Sequence, residues 1–102
     1  DSFLRYAKEM AYSHHERWNG TGYPENLAGE QIPVSARLMA LADVYDAIIS
    51  RRVYKDPMPH ENAVEIIREE SGKQFDPVVV QAFLTLADRF QEISETFRDE
   101  WP

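Results

Sequence analysis

His14 and His15 stand side by side in the sequence, and Asp43 and Asp46 follow in a later apolar stretch. Imidazole and carboxylate are the ligands of borderline and hard divalent metals such as Mn, Fe, Zn and Ni. On a helix, adjacent histidines point about 100° apart. If they bind metal, they serve two neighbouring ions, or one binds while the other stands behind it. Asp43 and Asp46, at i and i+3, share one helix face. Ordinary structural roles compete with these. A histidine pair at a helix end also serves as a solvated cap on the helix dipole. Asp43 is flanked by Leu41-Ala42 and Val44-Tyr45, where burial of an unpaired carboxylate is costly. Asp43 is therefore expected to bind metal or to pair with a cation, with Arg37 as the structural candidate.

Two further groups carry chemical promise. Arg51, Arg52 and Lys55 cluster just beyond the aspartates. Cations there favour a helix C-terminus whatever the function, and they also suit a phosphate. The segment Trp18-Asn19-Gly20-Thr21-Gly22-Tyr23-Pro24 places two glycines, an asparagine and a proline within six residues. That composition excludes regular structure and presents Tyr23 on an unusual backbone path. A tight turn alone needs no function, and the loop lacks the lysine and preceding strand of a phosphate-binding loop. Tyr54 reads as core or surface filler. His60 reads as a surface residue near a helix start, without a partner.

The elements that must position these groups are helical. Phe3, Leu4, Tyr6, Ala7, Met10 and Ala11 follow helical spacing up to His14-His15. Polar, glycine-containing sequence continues to Gln31, and Pro33 suits a first helical turn. Val34–Ile49 reads as a strong, largely buried helix through Leu38, Leu41, Ala42, Tyr45, Ile48 and Ile49. Residues 51–59, with Pro57 and Pro59, form a connector. A shorter amphipathic helix over 61–71 uses Ala63, Val64, Ile66 and Ile67 and stops at Gly72. Asp76-Pro77 is an N-cap followed by proline at the first helical position. One last helix is expected over 77–97, with Val79, Val80, Phe83, Leu84, Leu86, Ala87, Phe90 and Ile93 inside. No strand is expected, and the class is all-α.

The bulk numbers narrow the function. The chain has 102 residues, room for one small domain, and is 43% hydrophobic and 28% charged. It has no cysteine, so any metal must sit on His, Asp or Glu. A net charge of −7 argues against binding a nucleic-acid polymer. No apolar run approaches the roughly 20 residues of a membrane span, and no signal peptide is visible at the N-terminus. A first residue other than Met suggests a cut from something longer.

The run His14-His15-Glu16-Arg17-Trp18-Asn19-Gly20-Thr21-Gly22-Tyr23-Pro24 resembles the HHExxDGxGYP signature of HD-GYP domains. Ile32-Pro33, Ala36-Arg37, Ala42-Asp43-Val44-Tyr45-Asp46-Ala47, Arg52, Tyr54 and Lys55 continue the similarity over most of the chain. Asn19 departs from the usual Asp. The resemblance implies an all-α bundle, HD-domain-like, of which this chain is the carboxy-terminal part. It implies hydrolysis of cyclic di-GMP to the linear dinucleotide or to GMP, with two or three divalent ions, commonly iron or manganese. By position, His14, His15 and Asp43 match metal ligands. Asp46 matches a carboxylate that supports a catalytic lysine, and Tyr23, Arg52 and Lys55 match residues that hold the nucleotide and its phosphates.

The family's His-Asp motif lies upstream of the segment matching His14, so this chain is expected to be inactive alone. The resemblance also implies a bacterial, cytoplasmic setting and a diguanylate-cyclase-type protein partner at the loop. A degenerate, non-catalytic signalling module is the alternative, and another nucleotide-directed HD phosphohydrolase is a weaker one. The inner face of the Asp43 helix would normally pack on missing helices, so a homodimer is expected.

Overall fold

The computed structural model describes residues 2–51, 53 and 55–98, with side chains to residue 96. Among these, α1 spans Ser2–Ser13, α2 Val34–Ile49, α3 His60–Glu69, α4 Pro77–Thr85 and α5 Ala87–Arg98. No strand forms among the described residues, and the all-α class holds. The loop after α1 runs to a single 3₁₀ turn at Gly29–Gln31.

The central element is α2, which touches α1, α3 and α4. Its buried residues are Ala36, Ala40, Leu41, Tyr45 and Ile48. All but Ala36 meet Ala63 and Ile67 of α3, Phe75, and Val80 and Phe83 of α4 in one core. Ile67 and Phe75 are fully buried, and each such side chain contributes about 1.5–3 kcal/mol. The helix is buried on one face and not all round. Leu38 is 53% exposed, and Ala42 also faces outward.

The expected cap at Asp76 forms as the sequence implies. Its Oδ1 accepts the Val78 N–H at 2.8 Å, with Pro77 following. Its Oδ2 accepts from Arg37 at 3.1 Å, and Arg37 Nε also donates to the Ile32 carbonyl at 2.8 Å. This nearly buried pair joins α2 to the start of α4.

Two expectations about the helices need correction. Residues 77–97 do not form one helix, because α4 ends at Thr85, capped by Leu86, whose N–H is shared by the Ala82 and Phe83 carbonyls. Phe83 and Phe90 would stand about 10 Å apart along a straight helix. Instead their rings lie 5.1 Å apart, and both pack on Tyr45, at 5.5 and 5.6 Å. Leu86 and Ile93, expected inside, are half exposed. His60 is not an unpartnered surface residue. It opens α3 and its Nδ1 shares a 2.9 Å hydrogen bond with the Tyr45 hydroxyl.

Candidate active site

Ser13, the last residue of α1, is buried, and His14 and His15 follow in a turn outside the helix. The 100° divergence expected of helical neighbours therefore does not apply. Their ring centroids lie 4.0 Å apart, with planes inclined at 39°. His14 Nδ1 lies 2.8 Å from the Met10 carbonyl. A carbonyl oxygen only accepts, so Nδ1 is the donor, and in the neutral ring Nε2 is left with the lone pair. That tautomer, held by a backbone carbonyl, is the form in which imidazole ligates a metal.

The next residue organises the loop. Glu16 is 3% exposed. Its Oε2 accepts the Glu25 N–H at 2.7 Å and its Oε1 accepts the Leu27 N–H at 2.9 Å. One buried carboxylate thus clamps the far side of the loop to the histidine turn. Gly22 is buried against the same turn. A Cβ there would strike the His15 carbonyl and the backbone of Glu16 and Arg17. Such close approach of two backbones requires glycine. It lets the Tyr23 N–H reach the His15 carbonyl at 3.3 Å.

Asn19 performs the turn role of the expected Asp. Its Oδ1 accepts both the N–H and the hydroxyl of Thr21, at 3.1 and 2.6 Å. A carboxylate oxygen would accept the same bonds, which accounts for the tolerance of Asn. The loop is tied to the chain after α3 by Trp18 N–H to the Gln74 carbonyl and Asn19 N–H to the Lys73 carbonyl. Arg17 adds an ion pair to Glu70 at 3.2 Å. Near the end of α1, the Tyr12 phenol is raised above its usual pKa, chiefly by the negative charge of Glu25.

His14, His15, Tyr23 and Asp43 line one open cleft of about 230 Å³, with Arg17, Thr21, Val44 and Gln74 among its other walls. The structure therefore brings together four of the residues singled out by sequence. Asp43 is exposed at this cleft and not buried as expected. Arg37, its suggested partner, is engaged by Asp76 instead. Asp46 is not part of the lining; its Oδ1 accepts the Ser50 hydroxyl at 2.9 Å near the end of α2. Lys55 is exposed in the connector and does not line the cleft. Arg52 and Tyr54 lie outside the described residues. Arg51 sits 3.8 Å from Asp56 in a solvated pair.

The donor chemistry suits a borderline divalent metal, with His14 already in its ligating tautomer. The shell is incomplete, since no group of three His, Asp or Glu side chains among the described residues is arranged to hold an ion. Sequence reasoning missed Glu16, Arg17 and Gln74. An acidic residue beside a glycine loop full of free N–H groups was the available signal for Glu16. The contribution of Gln74 depends on packing across distant segments and had none.

Comparison with known proteins gives the same assignment as the motif. The HD domain family model matches residues 2–79. A cyclic di-GMP phosphodiesterase of Vibrio cholerae is 59% identical over 96% of this chain and 20% of its own length. One from Thermotoga maritima is 46% identical over 95% of the chain and 26% of its length. A crystal structure of a cyclic GMP-AMP-specific phosphodiesterase from V. cholerae superposes with a TM-score of 0.66 at 30% identity, over 88% of this chain and 22% of that one. The chain thus spans about a fifth to a quarter of the length of these relatives. The match over 78 consecutive positions, on a helical frame that presents the His-His turn and the glycine loop, shows that the chain belongs to the HD domain family, as part of an HD-GYP-type phosphohydrolase domain.

Proposed function

We propose that this chain forms one wall of a metal-dependent phosphodiesterase centre that hydrolyses cyclic di-GMP to the linear dinucleotide or to GMP. The observation that carries the reading is the shared cleft of His14, His15, Asp43 and Tyr23. His14, His15 and Asp43 are the metal ligands contributed by this chain, and the remaining ligands come from residues outside it. A divalent cation bound there, iron or manganese in a set of two or three, supplies Lewis acidity toward a phosphodiester and acidifies water. The Met10 carbonyl holds the proton on His14 Nδ1 and so keeps Nε2 available. Tyr23 offers an aromatic face to a base, Arg52 and Lys55 hold phosphate, and Asp46 supports the catalytic lysine supplied from outside the chain. Cyclic di-GMP is favoured over cyclic GMP-AMP because the relatives named for the former are the more similar, 59% against 42%.

The reading places the protein in the bacterial cytoplasm. No helix among the described residues is long and apolar enough to cross a membrane. Tyr23, Pro24, Glu25 and Asn26 are exposed on the loop, which supports contact with a diguanylate-cyclase-type partner. Phe3, Leu4, Val34, Leu38 and Met39 leave apolar surface on α1 and α2, which supports a homodimer. The test is hydrolysis of cyclic di-GMP with added Mn or Fe. The complete gene product should turn it over and the purified 102-residue chain should not. Equal turnover by the two would contradict the incomplete shell, and none by the metal-loaded gene product would remove the phosphodiesterase reading.

A further inference from the structure

Of the described residues that line the cleft, Arg17 alone is a lysine or arginine. In a chain of net charge −7, with Asp43 and Glu16 also at this cleft, an anionic ligand needs a cation close by. Arg17 is held where it can serve. Its backbone follows the histidine turn, packs under Gly22, and accepts the Gly20 N–H on its own carbonyl at 2.8 Å. Its side chain remains 36% exposed, and its guanidinium is held by a single oxygen of Glu70 at 3.2 Å. A guanidinium has five N–H donors, and a partly solvated, monodentate pair of this kind is weak. A phosphodiester offers the bidentate geometry that Glu70 does not supply here.

The geometry points to Arg17 as a phosphate-binding residue of the cleft, with Glu70 as the internal counter-ion that the ligand's phosphate displaces. This rests on the cyclic-dinucleotide reading above and adds a contact that the motif comparison does not assign. The purely structural role is a tie between the histidine turn and the chain after α3. The two roles differ in sign. If the pair is only a tie, Arg17→Gln and Glu70→Gln loosen the loop alike. If Glu70 competes with the ligand, the two substitutions act in opposite directions.

The experiment measures cyclic di-GMP affinity by calorimetry in the complete gene product, with thermal melting of each variant alongside. Arg17→Gln should weaken binding about tenfold, the loss of one charge-assisted contact. Glu70→Gln should tighten it about two- to fivefold by releasing the guanidinium. Weakening by both substitutions, or no change with Arg17→Gln, overturns the assignment. Failure of the unsubstituted protein to bind cyclic di-GMP would overturn the substrate reading together with this one. Binding left intact by Arg17→Gln would overturn this one alone.

Discussion

The ring of Tyr23 stacks on the imidazole of His15, with centroids 4.9 Å apart and planes within 17° of parallel. The loop thus delivers its aromatic residue directly onto a proposed metal ligand. The outer face of the Tyr23 ring remains open, as the residue is 60% exposed. On the proposed cyclic-dinucleotide reading, a base stacks on that face and its phosphates lie toward the histidine turn and Arg17.

Tyr23→Ala should therefore weaken cyclic di-GMP binding by about 1–3 kcal/mol, the usual worth of a base–aromatic stack. Tyr23→Phe should keep most of it. Because the side chain is exposed, neither substitution should move stability by more than about 0.5 kcal/mol. Affinity by calorimetry and melting temperature together check this. A large loss of stability in Tyr23→Ala would make the ring a structural element instead.

Glu16→Ala should destabilise the loop by about 1–3 kcal/mol for each backbone N–H left without its acceptor. Glu25 and Leu27 are the two donors affected. Glu16→Gln should fall between, since one amide oxygen replaces one of two acceptors. Amide hydrogen exchange at residues 25 and 27 reads this locally, and unchanged protection would contradict the clamp.

Gly22→Ala should displace the loop from the histidine turn, because the added methyl meets backbone atoms that cannot rotate away. The expected loss is about 1–3 kcal/mol of stability. The chemical shifts of the His15 and Tyr23 rings should also move toward unstacked values. Unaltered ring shifts would show that the two backbones tolerate a Cβ.

Asp76→Ala removes two functions at once, the cap on α4 and the partner of a nearly buried arginine. Leaving Arg37 uncompensated should destabilise the chain by about 3–5 kcal/mol. Denaturant unfolding measures it. A loss below about 1 kcal/mol would mean that Arg37 finds solvent or another acceptor.

Much of this molecule was legible in the residues. The bounds of α2 and the Asp76-Pro77 cap follow from local rules, namely helical spacing, capping chemistry and the fixed angle of proline. The convergence of His14, His15, Tyr23 and Asp43 was legible through the motif. What escaped depends on long-range packing. Nothing in the run Thr85-Leu86-Ala87 breaks a helix, and the interruption there accompanies the packing of Phe83 and Phe90 on Tyr45. Asp43 was expected inside because its sequence neighbours are apolar. Those neighbours divide between two faces of α2, with Leu41 and Tyr45 buried and Ala42 exposed with Asp43. Arg37 was matched to Asp43 on the same helix, whereas its partner lies 39 residues away at a helix cap. The Tyr45–His60 bond likewise links residues that only the fold brings together.

Metal analysis of the complete gene product tests the central claim most directly, comparing the natural sequence with His14→Ala and Asp43→Ala in parallel. Both substituted proteins should remain folded but lose bound iron or manganese, with cyclic di-GMP hydrolysis falling on the order of a hundredfold or more. Full metal content and undiminished hydrolysis in both would mean that the cleft joining the histidine turn to α2 is not the metal centre.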